Sequence, residues 1–586
     1  MFEIGAKFNA DFYMIPCVSY NGNQWGTGNE PKGLTHNGEP WVFAYDRVAV
    51  PSGTFSENKD YALAVFVSDC DAQSLSSACS LVKNQENHLT HRIFWPERET
   101  PVTYTGRDVY GPASEKTIKV KSKESFNVQF YVSVSKTKIK NYGWTQAFDR
   151  AWKIFRRPAA YPVSGETYRK WRVEYIKNIQ YARLYDKYSL FEMGLLASGV
   201  NYVGKPGEEF KFREEYRYEI GWCGQNASEA LALLHDYAVT GDIDSLEKGR
   251  AVLDTWVQYA PVENKNGLFR VVFDSVLNLN ENENENENEK YDMDTCNLGW
   301  GAWILLEAYK MAKTLDIIKP EWLKFSLDLC DFFVSNRAPD GSFGKVWDKG
   351  GTCTDSGGTV GCYILLALME AYRATNDVKY LDAAKEMYLF YVKRDLLAVS
   401  CTAGALDTHC IDKETCWPLC KIGLDLYEDT RDAQFFEYAE LAGYYMLSFM
   451  FHYDALYDAG SDFTQLGYRT YGATSVSTQH HHLDPWGSLL CYDWYRLYKI
   501  TGDAKWKERF QAAWMNSMLG VSDGNLIVHG IKRPISSQNE GFWQCNWTPG
   551  NHKRGMFNDW LQSWVGAFKI ITMIREKDWR LFENGD

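Results

Sequence analysis

The sequence predicts an N-terminal β domain followed by an all-α toroid in which six buried helices alternate with six covering helices, an (α/α)6 barrel. Three observations predict it. Tyr237–Asp242 (YAVTGD), Tyr372–Asp377 (YRATND) and Tyr498–Asp503 (YKITGD) repeat one pattern. A helix ending in Gly or Asn can enter the left-handed conformation, and the Asp that follows can cap the next helix. The segments before these turns are nearly all apolar and those after them amphipathic, as expected for inner and outer helices. The first 140 or so residues show short, partly alternating β-branched and aromatic runs instead.

Taken in order, residues 1–140 contain Ala62–Val67, Thr117–Val120 and Phe126–Val134, separated by Gly, Asn, Pro and Ser, which fits a β-sandwich domain. Residues 141–164 form a linker whose helical stretch 142–160 stops at Pro158. The toroid occupies 165–586. Its inner helices are expected at Ala227–Ala238, Trp300–Met311, Val360–Tyr372, Trp417–Tyr427, Trp486–Tyr498 and Trp560–Ile574. Outer helices are expected to start near 243, 320, 378, 432 and 504, with a sixth over 166–186. Asn266-Gly267, Asp340-Gly341 and Asp523-Gly524 read as tight turns in the outer-to-inner connections, all at one mouth. The run Asn280–Lys290 (NENENENENEK) reads as an insertion in one such loop.

Apolar content of 45% and charged content of 24% are those of a globular chain, and a net charge of −13 speaks against nucleic acid or an anionic membrane as partner. There is no basic cluster, signal-peptide pattern or apolar stretch long enough to cross a bilayer. The 14 cysteines are scattered without a CxxC pair, which reads as a reduced, cytoplasmic protein. Phosphate-cradling loops, GxGxxG after a strand and GxSxG elbows are absent, so no cofactor is expected.

If the inner helices share one rim, the ionisable residues just ahead of them are the candidate chemistry. These are Glu219, Trp222 and Gln225, then Asp292, Asp294 and Asn297, then Asp355. Asp407, His409 and Glu414 precede the fourth helix, His480, His481, His482 and Asp484 the fifth, and Glu540, Trp543, Trp547, His552, Asn558 and Asp559 the last. Asp294, Asp355 and Asp484 also stand where an Asp simply caps a helix. Glu540 lies in a polar, Trp-containing loop, and Asp355 between glycines that admit a ligand. Trp222, Trp300, Trp347, Trp417, Trp486, Trp543 and Trp547 fall in polar or Gly-rich segments, where an indole face can carry a sugar ring. Gln225, Asp407, His409, His481 and His482 are candidate hydrogen-bonding partners for sugar hydroxyls. The triple histidine lacks the nearby carboxylate or Cys spacing of a zinc site, so no metal is expected.

A β-sandwich ahead of an (α/α)6 barrel resembles the six-hairpin glycosidases, and the resemblance rests on helix pattern and turns over nearly the whole chain. It implies an exo-acting, inverting glycoside hydrolase taking an oligosaccharide, with Asp355 as acid and Glu540 as base, and Asp294 and Asp484 as further carboxylates. Arg469, Lys532 and Arg533 make acidic sugars plausible substrates. The same fold hosts N-acylglucosamine 2-epimerases, for which His409 and His481 would move protons. It also hosts unsaturated glucuronyl hydrolases, for which Asp294 and Asp355 would serve, and polysaccharide lyases.

Overall fold

A computed structural model describes residues 1–25, 30–68, 76–84, 86, 88–106, 109–117, 119, 122, 127–185, 192–196, 199–201, 217–262, 266–274, 293–402, 409–548 and 552–583. Asp292, Asp407 and the Asn280–Lys290 run lie outside these residues.

The N-terminal part holds two larger antiparallel sheets beside two two-stranded ones. One has the strand order Phe2–Asn9, His88–Phe94, Ala78–Lys83, Phe43–Ala44; the other runs Phe130–Lys136, Tyr61–Val67, Thr54–Glu57, Phe12–Ile15, Ser19–Tyr20. Val65, Val67 and Ile93 pack between them, and His91 ties them by contacts of 2.8 Å to both Thr54 Oγ1 and Ser56 Oγ. Burial lowers the pKa of that imidazole to about 4, so it joins the sheets as a neutral group. The strand expected at Thr117–Val120 does not form at Thr117 or Lys119. Its place is taken by Val109–Glu115, paired with Arg98–Gly106.

Helix α1 (Thr145–Phe155) buries Ala147, Phe148, Ala151, Trp152 and Phe155 on one stripe and ends ahead of Pro158, as the sequence indicated. Helix α2 (Gly165–Tyr175) is shorter than expected. After Gln180 the chain turns into a strand, Tyr181–Tyr185, paired with Glu192–Leu196. Gly194 of that hairpin lies against outer-helix backbone, where a Cβ would sit 2.8 Å from Ala251 Cβ, so tertiary packing overrides the helical pattern.

The toroid is built from inner helices α3 (Asn226–Thr240), α5 (Thr295–Thr314), α7 (Ile364–Thr375), α9 (Cys416–Thr430), α11 (Gly487–Thr501) and α13 (Ser563–Arg575). Each touches the next, and α13 touches α3, so the ring closes. Helices α4 (Ile243–Tyr259), α6 (Pro320–Ser335), α8 (Val378–Tyr391), α10 (Ala433–Leu447) and α12 (Ala504–Ser517) cover it, and α2 packs over the α13–α3 seam. The turns behave as the repeat requires. Gly241, Asn376 and Gly502 adopt φ of 76°, 57° and 68°, and the following Asp side chains accept from the second backbone N–H of the next helix. Tyr427–Asp432 (YEDTRD) is a fourth copy, concealed in the sequence because Arg431 takes the left-handed position at φ 62°.

Close approach of inner helices needs glycine at one place in particular. A Cβ on Gly299 of α5 would lie 2.4 Å from Tyr363 O and 2.8 Å from Ile364 N, both backbone atoms that cannot swing away. We expect Gly299→Ala to cost about 1–3 kcal/mol through overpacking, read as a lower denaturation midpoint. An unchanged midpoint would show that the α5–α7 contact is looser than described.

Candidate active site

The short inner-to-outer turns lie at one end of the ring, and the long outer-to-inner connections gather at the other, with the inner-helix N-termini. Below that mouth the ring is filled by aromatic side chains. Trp300 packs 5.2 Å from both Trp417 and Phe568, and Trp486 lies 4.6 Å from Phe568 and 6.3 Å from Trp564. This floor accounts for several tryptophans expected to carry a sugar. Trp300 donates to Ser228 Oγ (2.8 Å) and Trp417 to Asp493 Oδ2 (2.8 Å), both fully buried. Trp347 is equally buried and donates to Phe343 O at 2.8 Å. These three form floor and core rather than sugar platforms, because a closed ring must fill its own axis. Trp486 lies at the top of the filling and is nearly buried.

The entry to α3 is strained: Trp222 and Gln225 have φ of 31° and 50°. Gln225 is buried, donating to Trp222 O (2.7 Å) and accepting from Ser228 Oγ (2.6 Å), so it holds this turn instead of meeting a substrate. Trp222 itself is half-buried. Two left-handed non-glycine residues within four positions are a device found at functional sites, each costing about 1–3 kcal/mol.

Two of the expected carboxylates are committed elsewhere. Asp294 caps α5, its Oδ1 accepting from Asn297 N (2.7 Å) and its Oδ2 from Asn297 Nδ2 (2.9 Å). Burial raises its pKa. Asp484 accepts from Lys413 Nζ (2.7 Å), Thr474 Oγ1 (2.7 Å) and Trp486 N (3.1 Å) with no open face. Asp294 takes the capping role that competed with the catalytic one in the sequence, while Asp484 is taken up by the buried ion pair with Lys413.

Asp355 and Glu540 differ. Asp355 has a side chain 38% exposed, 3.8 Å from Lys345 Nζ and 3.5 Å from His409 Nε2, and its Oδ1 accepts from Gly357 N (2.7 Å). Lys345 Nζ lies 3.1 Å from His409 Nε2, closing a triangle. Burial, then the Lys345 charge, lowers the His409 pKa, so the ring stays neutral and accepts from the ammonium. Gly357 makes room for it: a Cβ there would lie 2.6 Å from His409 Cε1. Glu540 is half-buried; its Oε2 accepts from Trp564 Nε1 (3.1 Å) and its N–H donates to Trp560 O (3.0 Å). Trp564 N–H in turn donates to Cys223 O (3.1 Å), linking this loop to the strained turn. Asp355 precedes α7 and Glu540 precedes α13, which stand opposite in the ring. With neighbouring axes about 8–10 Å apart, the two helices are roughly 16–20 Å apart.

Of the triple histidine, His481 is buried and locked. Its Nδ1 lies 2.9 Å from Arg47 NH1 and its Nε2 2.7 Å from Thr478 O. It is a structural link to the N-terminal sheets and not a group that meets a substrate. His482 stays partly open. Trp543 and Trp547 are buried beside it. Arg533, expected to grip an acidic sugar, is buried 3.9 Å from Asp559 Oδ1. Lys345 carried no sequence signal, since its role depends on a strand pairing that brings it beside residues 10 and 64 positions away. A cavity of about 800 Å³ lies on the flank, between Asn266–Phe269, α6 and Gly350–Gly351, and contains none of these carboxylates.

The loop beyond Glu540 is clamped from outside. His529, left-handed at φ 52°, places Nδ1 2.7 Å from Asp559 Oδ1 and Nε2 2.8 Å from Asp462 Oδ2. Hydrogen bonds to Asp462 and Asp559 raise its pKa to about 9. A raised folded pKa gives stability that is full below the ordinary histidine value of about 6.5 and lost as pH rises through about 9. His529→Gln is therefore expected to lower the melting temperature at pH 6 and to leave it unchanged at pH 10. Equal losses at both pH values would show that the clamp is not ionic.

No family model matches the chain. No curated protein matches it. Among solved structures, a sugar epimerase from a ruminal bacterium aligns over 70% of this chain and 98% of its own at 13% identity, TM-score 0.46. An unsaturated glucuronyl hydrolase specific for heparin aligns over 70% and 95% at 13% identity, TM-score 0.40. A polysaccharide lyase aligns over 92% and 81% at 8% identity, TM-score 0.45. At these values the reaction has to be argued from the residues themselves.

Proposed function

We propose that the chain is a glycoside hydrolase releasing terminal sugars from an oligosaccharide at the mouth of the toroid. The observation that carries the reading is that Asp355, with a side chain 38% exposed, and the half-buried Glu540 precede inner helices on opposite sides of one mouth over an aromatic floor, while Asp294 is consumed in a cap and Asp484 in an ion pair. Cleavage needs one carboxyl to protonate the leaving oxygen and another to activate water. Asp355, flanked by Lys345 Nζ and His409 Nε2, is assigned the acid role. Glu540, held by an indole N–H that favours the carboxylate, takes the base role. Approach from opposite walls suits a carboxyl separation of roughly 6.5–9.5 Å with sugar and water between, which is the inverting arrangement. A closed floor suits an exo mode, since a chain end fits where a through-running chain does not. In this reading residues 1–140 are a β-sandwich domain, 141–164 a linker and 165–586 the catalytic barrel.

The epimerase alternative required His409 and His481, and His481 is fixed between Arg47 and Thr478. The test is incubation with an oligosaccharide panel followed by chromatography. Release of free monosaccharide supports the proposal. A product of unchanged size with an altered sugar would replace hydrolysis by epimerisation, and an ultraviolet-absorbing product would replace it by elimination.

A further inference from the structure

Beside Glu540 stands a small sheet ordered Thr474–Ser475, Leu483–Asp484, Phe542–Trp543, Met556–Phe557. One face is apolar, with Phe542 stacked 4.2 Å from Tyr468. The other carries His482, Trp543 and Asn558 around Gly541, where a Cβ would lie 2.8 Å from Asn558 Nδ2 and 3.0 Å from His482 Cδ2. The His482 ring is 4.7 Å from Trp543 and 4.9 Å from Trp547, and His552 is 4.9 Å from Trp543.

The N-terminal sheets close this wall from the side. Arg47 donates to His481 Nδ1 (2.9 Å), Glu99 Oε2 (3.1 Å) and Tyr104 O (2.7 Å), and Tyr104 Oη donates to Gln479 O (3.0 Å). Gly106 admits Trp547, its Cβ position being 2.8 Å from Trp547 Nε1. The His481 carbonyl accepts from Gln544 Nε2 at 2.6 Å, joining the histidine turn to the Glu540 loop.

Two features of the wall point to a ligand. Asn558 Nδ2 and Trp543 Nε1 are buried donors without a partner among the described residues, and His482 Nδ1 is likewise unmatched. A buried donor left unmade is costly, and an acceptor entering the wall would recover that cost. The nearby cations are already matched by carboxylates: Arg47 by Glu99, Arg554 by Asp46 and Lys413 by Asp484. The wall thus offers neutral donors and aromatic faces without surplus positive charge.

We propose that this wall, completed by the N-terminal sheets, is a subsite for a neutral pyranose unit next to Glu540, its hydroxyls accepting from Asn558 and Trp543 and bonding His482. The subsite rests on the reading of the mouth as saccharide-binding and assigns it a sugar class and a place. It makes the N-terminal sheets part of the site, not an appendage.

The test follows the indole N–H resonance of Trp543, assigned with a Trp543→Phe variant. Methyl α-D-glucopyranoside, methyl α-D-mannopyranoside, methyl β-D-galactopyranoside and sodium D-glucuronate are titrated into the wild-type chain and into Glu540→Gln. We expect a saturable shift with at least one methyl pyranoside in both proteins, at least tenfold weaker binding of glucuronate, and loss of the shift in His482→Phe. That variant keeps a ring in place, and an unchanged unfolding midpoint confirms an intact fold; Asn558→Ala serves the same purpose if the midpoint falls. No saturable shift with any pyranoside, tighter binding of glucuronate, or binding unaffected by both variants overturns the subsite. Binding by Glu540→Gln without cleavage of any oligosaccharide by the wild type would sink the hydrolase reading and leave the subsite standing.

Discussion

Asp355→Asn and Glu540→Gln are each expected to lower kcat by about 10²–10⁴-fold while leaving the melting temperature close to wild type. Each substitution keeps shape and removes only the ability to hold or release a proton. The Asp355 side chain is 38% exposed and that of Glu540 half-buried, and the amide oxygen of Gln can still accept from Trp564 Nε1. Asp484→Asn provides the contrast. It removes the partner of Lys413, whose side chain is fully buried, and breaking a buried pair costs about 3–5 kcal/mol. The three variants therefore separate two kinds of loss: activity without stability at Asp355 and Glu540, stability first at Asp484. Measuring kcat, KM and unfolding midpoints for all three on one substrate decides the matter. Turnover within about tenfold of wild type for Asp355→Asn and Glu540→Gln would remove both from the reaction.

The unequal legibility of fold and site has a physical basis. Helix pairs announce themselves locally, because Gly241 or Gly502 in the left-handed position and the Asp that follows lie adjacent in the chain. That is why the repeat could be read, and why Arg431 concealed one copy: an exposed arginine takes the left-handed position that propensity alone would give to Gly or Asn. Burial of Trp300, Trp347 and Trp417 was not legible, since a tryptophan in a Gly-rich stretch looks the same whether it lines a mouth or fills an axis. Asp294 is settled by Asn297 three positions on, but the choice between Asp355 and Asp484 depended on partners far along the chain. Lys413 reaches Asp484 across 71 positions, and His409 reaches Asp355 across the entry to another inner helix. The contribution of Arg47 to the histidine turn spans 434 positions and left no local trace.

Removing Asp425 should cost about 3–5 kcal/mol, as much as breaking the Lys413–Asp484 pair. Away from the mouth the inner helices are tied by ion pairs rather than by aromatic filling. Asp425 of α9 accepts from Lys421 Nζ (2.7 Å) and Arg496 NH2 of α11 (2.7 Å), and lies 3.6 Å from Arg373 NH2 of α7. Arg496 also meets Asp493 (3.1 Å), which binds Arg575 of α13 at 2.6 Å, while Arg373 meets Glu370 at 2.9 Å. With Lys310 of α5 on Glu370 at 2.5 Å, the network runs through five of the six inner helices. Burial alone would raise the Asp425 pKa, but Lys421, Arg496 and Arg373 outweigh it and hold the carboxyl well below the usual range. A depressed folded pKa means stability present above the ordinary aspartate value of about 4 and lost as pH falls below it. Asp425→Asn should therefore abolish much of the difference in denaturation midpoint between pH 7 and acid, and it should do so at α7, α9 and α11 together, since three cations lose one partner. The exposed pair Lys324–Asp328, on outer helix α6, sets the scale: Asp328→Asn is expected to cost about 0.3–0.5 kcal/mol. If Asp425→Asn costs no more than Asp328→Asn, the ring is held by its packing and the ion network contributes nothing to its closure.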